Sequence, residues 1–322
     1  MRLSVIGAGY FGRIHIKKII EGGFAELAGF YDINPDRANE IQSEFDIRSF
    51  SSVDEALRFC DASIIATPTS THYEIAKRCL ESGKDIFVEK PLTDNSVSSY
   101  ELTELAERRG LLIQVGHIER FNPAYRAACE FIRRPVFIEA HRISPFKGRG
   151  SDIAVIFDLM IHDIDLVLDL MRREPSSISA YAAPIVTTKE DIATARLVFE
   201  NDGVANLTAS RISLKSLRKM RVFQKNSYVS IDFEKREFEY VSTSRPAGVV
   251  SEKTKVAEDF VFYVSRPIVH HYDPISAELK HFVDCVSTRT RPIISGVEAA
   301  NAIRIAEKVI EASSTWRPTS LY

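Results

Sequence analysis

Cysteine is scarce in this chain, four residues in 322. Cys60, Cys79, Cys129 and Cys285 stand far apart with no CxxC or CxxH spacing. That excludes a disulfide framework or a zinc site as the organising element and reads as reduced packing residues of a cytoplasmic protein. Long apolar runs are missing too, since none approaches the roughly 20 residues that span a bilayer. The opening "MRLSVIGAG" lacks a basic segment followed by an apolar stretch and a small-residue cleavage site, so no signal peptide is expected. Neither sign of charge dominates: 42 Lys and Arg against 44 Asp and Glu give a formal net charge of -2. Nothing electrostatic therefore calls for nucleic acid or an anionic membrane as partner. Internal repeats and low-complexity tracts are absent as well. What the chain does have is 45% hydrophobic residues, enough for sizeable cores, at a length that suggests two domains.

The first third alternates strand and helix. "RLSVIGA", "AELAGFYDI", "ASIIAT", "DIFVEK" and "LLIQVG" read as short buried strands, separated by segments of helical period. One of these helices starts at Pro35 with Asn34 able to cap it, and two others end at Gly83 and Gly110. Such alternation means crossovers and a parallel sheet covered on both faces. We read residues 1–120 as a Rossmann-type, doubly wound α/β domain. After the helix "NPAYRAACEFI", strands follow one another: "VFIEAHRIS", "SISAYAAP", "DIATARLVFE", "VANLTASRI", "KMRVFQK", "YVSIDFE" and "EFEYVS". Glu200-Asn201-Asp202-Gly203 suits a hairpin turn. The stretch "STSRPAGVVSEKTKVAED" reads as a polar loop, and "PISAELKHFVDCVST" and "GVEAANAIRIAEKVIEASS" as closing helices. Residues 121–322 are thus expected to form an α+β domain with a large open antiparallel sheet, its last helices able to pack back on the first domain. One sheet face has no obvious cover of its own, so a homodimer or homotetramer is expected.

Gly7-Ala8-Gly9-Tyr10-Phe11-Gly12 follows a strand and opens a helix, with Asp32 about 20 residues beyond at the end of the next strand. Gly7 permits a tight turn, Gly9 lets the backbone approach a pyrophosphate, and Gly12 allows helix and strand to pack closely. The helix N-terminus offers partial positive charge to the phosphates, with Tyr10 and Phe11 in its first turn. Asp32 accepts ribose hydroxyls and repels a 2′-phosphate, favouring NAD over NADP, whereas a nearby Arg37 would tolerate that phosphate. Thr67, Pro68 and His72 leave one strand and Glu89 and Lys90 another, at carboxyl ends where open α/β sheets bind ligands. His72 can equally cap or pack beside its own helix. Lys90, fixed before Pro91, is directed to the nicotinamide end of the cleft, although an ordinary surface lysine has the same signature.

The segment "FDLMIHDIDLVLDL" sets a histidine and four aspartates into a helical apolar run. At roughly 100° per residue, Asp158, His162, Asp165 and Asp169 share a stripe while Asp163 points elsewhere. A wet face of an amphipathic helix explains the stripe, yet it carries no Lys, Arg or Glu. A metal site of Asp158, His162 and Asp163 is disfavoured, because Asp163 faces away and no second ligand cluster exists. His270 and His271 precede "YDP" at a helix entrance, and sequence does not separate a substrate contact from packing or exposure there.

The glycine loop, "EKP" at 89–91, "GHIERFNP" at 116–123 and Asp158-x-x-x-His162 together resemble the glucose–fructose oxidoreductase / inositol dehydrogenase family, in order and over the whole chain. The resemblance implies an NAD-dependent oxidoreductase taking hydride from a secondary hydroxyl of a sugar, in a site formed between the domains. It maps catalytic roles onto Lys90, Asp158 and His162. His162 would take the hydroxyl proton, since an unperturbed imidazole titrates near neutral pH. Asp158 would orient the ring, and Lys90 would donate to the developing alkoxide. "GRGSDIAVIFDLMIHDIDLV" with "VGHIERFNPA" is most similar to a subgroup that oxidises the 3-hydroxyl of UDP-N-acetylglucosamine. In one departure, 148–156 reads "GRGSDIAVI" where many relatives carry adjacent glycines, which points away from a generic polyol. For a nucleotide sugar, Arg120, Arg142 and Arg149 are candidate diphosphate contacts, with Asn122 beside them at the domain junction. The alternatives are an inositol or free-sugar dehydrogenase of the same family, and a non-catalytic dinucleotide-binding sensor.

Overall fold

The structure, a computed structural model, describes residues 1–146, 153–200, 203–257 and 260–314. The chain divides into two compact units, Met1–Ile118 with Asp273–Arg304, and Glu119–Tyr272 with the chain from Ile305 onward.

In the first unit, β1 (Arg2–Ile6), α1 (Tyr10–Gly22), β2 (Glu26–Tyr31), α2 (Pro35–Phe45), α3 (Val53–Phe59), β3 (Ala62–Ile65), α4 (His72–Glu81), β4 (Asp85–Glu89), α5 (Ser96–Arg109) and β5 (Ile113–Gly116) follow in order. All strand pairs are parallel and the sheet order is β2-β1-β3-β4-β5. Every residue of β3 and β5 is buried, as expected of strands covered on both faces. Asn34 caps α2 by accepting from the Asp36 and Arg37 amides at 2.9 and 3.3 Å. Gly110 closes α5 at φ 64°. Leu3, Val5, Ile16, Ile19, Phe30, Ile64 and Phe87 form the core, joined by Leu279 and Phe282 from α8 (Pro274–Thr288). The chain therefore returns to its first unit after residue 272. The final helix α9 (Gly296–Ser314) begins in that unit.

The second unit holds α6 (Pro123–Ala128), β6 (Pro135–Pro145), α7 (Ile161–Met171), β7 (Ser177–Ala183), β8 (Ile192–Phe199), β9 (Gly203–Ser213), β10 (Leu217–Gln224), β11 (Ser227–Asp232), β12 (Glu237–Ser242), β13 (Glu252–Ala257) and β14 (Phe260–Ser265). Among the described residues they build a nine-stranded sheet, β13-β14-β12-β11-β10-β6-β9-β8-β7. Only the β6–β9 pair is parallel, so the sheet is mixed though largely antiparallel. Strand alternation turns Ile138, Ala140 and Arg142 of β6 inward, while His141 between them is exposed. Helix α6 packs on β11 and β12, and α7 on β6 and β9. The polar stretch expected to be a loop contains β13, which pairs with β14 as an edge hairpin. Part of the turn at 200–203 lies outside the described residues.

Candidate active site

In the first unit, strand order reverses between β1 and β3, whose neighbours lead away in opposite directions. Loops leaving such a switch point open a crevice at the carboxyl ends of the strands. The glycine loop is one of these loops. Gly7 has φ +90°, and a Cβ there would lie 2.7 Å from Thr67 Cγ2 in the other. A Cβ on Gly12 would fall 1.8 Å from the Gly7 carbonyl oxygen, so close contact of α1 with the turn requires glycine. At Gly9 a Cβ would meet nothing within 4 Å. That space above the backbone fits a pyrophosphate. The first intrahelical bond of α1 runs from the Arg13 N–H to the Gly9 carbonyl, and no side chain caps this end. Such an N-terminus favours an anion.

Asp32 sits at this crevice, accepting from the Ala8 amide at 2.7 Å and the Asn34 amide at 2.9 Å. These bonds hold the carboxylate beside the glycine loop and leave lone pairs for ribose hydroxyls. Arg37 pairs with Glu40 on the surface of α2 at 2.8 Å. Tyr10 and Phe11 are exposed in the first turn of α1.

His72 takes the packing role of the two open to it. It is buried, with Nδ1 2.8 Å from the Pro91 carbonyl and Nε2 2.8 Å from the Thr67 carbonyl. It braces the loop after β3 against the one after β4. Thr67 Oγ1 also accepts from the Thr71 hydroxyl at 2.8 Å. Glu89, the last residue of β4, has its carboxylate Oε1 2.7 Å from His15 Nε2 on α1. Lys90 follows half-buried, its peptide bond to Pro91 cis.

In the second unit the helical segment opens with a π-helical turn, Ile156–Met160, before regular α7. Asp158 lies on that turn and His162 just after it, both half-buried, whereas Met160, Ile161 and residues 163–167 are buried. Such turns within helices occur frequently at functional sites. The stripe drawn at a constant angle per residue is therefore interrupted where it matters most.

Asp165 and Asp169 do not simply continue the stripe into solvent: both are ion-paired, Asp165 buried and Asp169 partly exposed. Asp165 is buried and receives the Arg120 guanidinium at 2.7 and 2.9 Å. Asp169 takes the same guanidinium and the Tyr125 hydroxyl, each at 2.5 Å. Asp163, also buried, receives Arg142 Nε and Nη2 at 3.1 and 2.8 Å, while Arg142 Nη1 reaches Glu119 at 2.6 Å. Burial opposes charge on both arginines, yet Asp165 beside Arg120, and Asp163 with Glu119 beside Arg142, raise them above their usual range. Asn122 caps α6 and donates to the Phe233 carbonyl at 3.0 Å. The expectation that Arg120, Asn122 and Arg142 contact substrate is thus corrected: they are 4, 5 and 2% exposed. Their polar atoms are engaged in holding α6, α7 and β6 together. Arg149 lies outside the described residues. His270 and His271 are exposed.

Burial pushes the Cys79 thiol up to about 12 and the Cys129 thiol to about 11, which suits packing and not nucleophilic chemistry. Among the described residues no group of His, Cys, Asp and Glu is placed to hold a metal, and no helix is long and apolar enough to cross a membrane. The residues that sequence reasoning missed are His15, Glu119 and the structural use of Asp163 and Asp165. Only for Asp165 was there a signal, the stripe's lack of Lys, Arg and Glu.

Residues 1–117 match the model of an oxidoreductase family with an NAD-binding Rossmann fold, and 133–227 match the GFO/IDH/MocA C-terminal domain. UDP-N-acetylglucosamine 3-dehydrogenase of Acidithiobacillus ferrooxidans is 36% identical over 96% of both chains. A solved structure of that enzyme superposes with a TM-score of 0.90 over 98% of each chain at 35% identity. The scyllo-inositol 2-dehydrogenase of Bacillus subtilis is 26% identical over 98% of this chain and 94% of its own. A scyllo-inositol dehydrogenase of Lactobacillus casei, solved with NAD(H) and scyllo-inositol, shares the fold at 18% identity and a TM-score of 0.79, over 98% of this chain and 97% of its own. The chain belongs to the GFO/IDH/MocA oxidoreductase family. It is an oxidoreductase with an NAD-binding Rossmann domain.

Proposed function

We propose that this oxidoreductase oxidises the 3-hydroxyl of a UDP-N-acetylhexosamine, with NAD as its cofactor. The observation that carries the reading is the 36% identity to a UDP-N-acetylglucosamine 3-dehydrogenase across nearly the whole of both chains. Asp32 at the end of β2 supports NAD over NADP, since a carboxylate there repels a 2′-phosphate. NAD, when bound, accepts the hydride. The protein handles the proton. A carbinol carbon releases hydride only as its hydroxyl loses a proton, and a sugar hydroxyl is far too weak an acid to do so alone. In this reading His162 is the base, Asp158 orients its ring, and Lys90 donates a hydrogen bond to the oxygen as negative charge develops. Holding these groups against one hydroxyl converts an improbable encounter into a positioned one. The open face of the nine-stranded sheet packs against a second copy in the same reading.

The purified protein with NAD and UDP-N-acetylglucosamine should form NADH, read by absorbance, with a ketone-trapping amine present to draw off product. Myo- and scyllo-inositol should give at least about 100-fold lower kcat/KM, the discrimination expected when a diphosphate-bearing group contributes to binding. Faster turnover of a free polyol would assign the chain to the inositol dehydrogenase branch instead.

A further inference from the structure

His15 is a buried titratable group of the first unit that the reaction above does not use. It lies on the inward face of α1, 1% exposed, its ring edge-on to Phe87 with centroids 5.3 Å apart. Nε2 is 2.7 Å from Glu89 Oε1, and Nδ1 is buried with no hydrogen-bond partner among the described residues. The carboxylate only accepts, so the ring proton of this contact sits on Nε2. Phenylalanine would pack on Phe87 without leaving a ring nitrogen unsatisfied in the interior. The imidazole therefore has a use that outweighs this desolvation, and its one bond goes to Glu89.

The neighbouring strand is shaped for the same contact. Glu89 pairs with Gly116 across β4 and β5, and a Cβ on Gly116 would come 3.1 Å from Glu89 Oε2 and 3.2 Å from Phe87 Cζ. Glycine there leaves room for the carboxylate. Glu89 immediately precedes Lys90, and His72 holds the carbonyl of Pro91 on the other side. α1, which carries His15, also presents the N-terminus that favours a pyrophosphate.

We propose that His15 and Glu89 are a positioning pair: their hydrogen bond clamps the end of β4 to α1 and so fixes Lys90 relative to the dinucleotide. This rests on Lys90 acting in the dehydrogenase reaction proposed above. The device works by geometry, so an uncharged acceptor in place of Glu89 serves as well as a carboxylate.

Three single variants and the His15→Phe/Glu89→Ala double variant test it: His15→Phe removes the donor but keeps a ring, Glu89→Ala removes the acceptor, and Glu89→Gln keeps an acceptor without charge. His15→Phe and Glu89→Ala should each lower kcat about tenfold or more, since small misplacements of a reacting group are costly. NADH affinity, by fluorescence titration, should stay within about threefold, and the double variant should be no worse than either single one. Glu89→Gln, the conservative replacement, should recover most of the kcat that Glu89→Ala loses. Independently of turnover, NMR of the protein with 13C-methylated lysines, with Lys90 assigned through Lys90→Arg, should show the Lys90 signal displaced in the first two variants and unmoved in Glu89→Gln. Glu89→Gln behaving like Glu89→Ala would overturn the proposal in favour of a charge effect. An unmoved Lys90 signal in His15→Phe, or equal losses of kcat and NADH affinity, would overturn it as well. If the wild type oxidises no nucleotide sugar, the function proposed above fails, while the lysine signal and NADH affinity still decide the pair.

Discussion

Replacing His162 by alanine is expected to lower turnover by roughly 100-fold or more, the usual contribution of a positioned general base. The dinucleotide should bind the variant as it binds the wild type. The glycine loop and Asp32 belong to the first unit, whereas His162 follows the π-helical turn of the second. NADH fluorescence titration and steady-state kinetics on the same preparation check both halves of this expectation. Activity near the wild-type level would remove His162 from the chemistry. A parallel loss of NADH affinity would mean that the residue serves the cofactor instead.

The second large effect concerns stability. Arg142→Met should destabilise the protein by about 3–5 kcal/mol, because removing one partner of a buried ion pair leaves charge without compensation. Here two carboxylates, Asp163 and Glu119, lose the same cation, and both are buried. The melting temperature is expected to fall by about 10 °C. Arg142→Lys should recover part of this loss, since an ammonium keeps the charge but cannot form the guanidinium fork that grips Asp163. Differential scanning calorimetry of the three proteins checks the series. A loss below about 1 kcal/mol for Arg142→Met would show that the network adds little to the hydrophobic contacts between α7 and the sheet.

The parts of the fold visible in sequence are those with local causes. Short apolar strands separated by helices announce a parallel sheet, and Asn34 and Gly110 end their helices as their backbone chemistry requires. The glycine loop is readable because Gly7 and Gly12 answer to steric demands a few residues away. The aspartates of α7 were not readable in that way. Their partners Arg120 and Arg142 lie 45 and 21 residues earlier, so helical spacing alone cannot distinguish a solvated carboxylate from a paired one. The π-helical turn also changes the angle on which the stripe was drawn. β13 was hidden by its polar residues Glu252, Lys253 and Thr254, a composition that suits an exposed edge strand as well as a loop. His15 gave no sign, since one histidine in an apolar helix face looks like any packing residue until Glu89 is placed opposite it.

The central claim is that hydride leaves the C3 carbon of a nucleotide sugar. UDP-N-acetylglucosamine carrying deuterium at C3 tests this most directly, with NAD supplied and the recovered cofactor weighed by mass spectrometry. The expected result is reduced cofactor heavier by one mass unit from the C3-labelled sugar, and unlabelled cofactor from sugar deuterated at C4. Deuterium arriving from C4, or reduced cofactor without label from the C3-deuterated substrate, would contradict it.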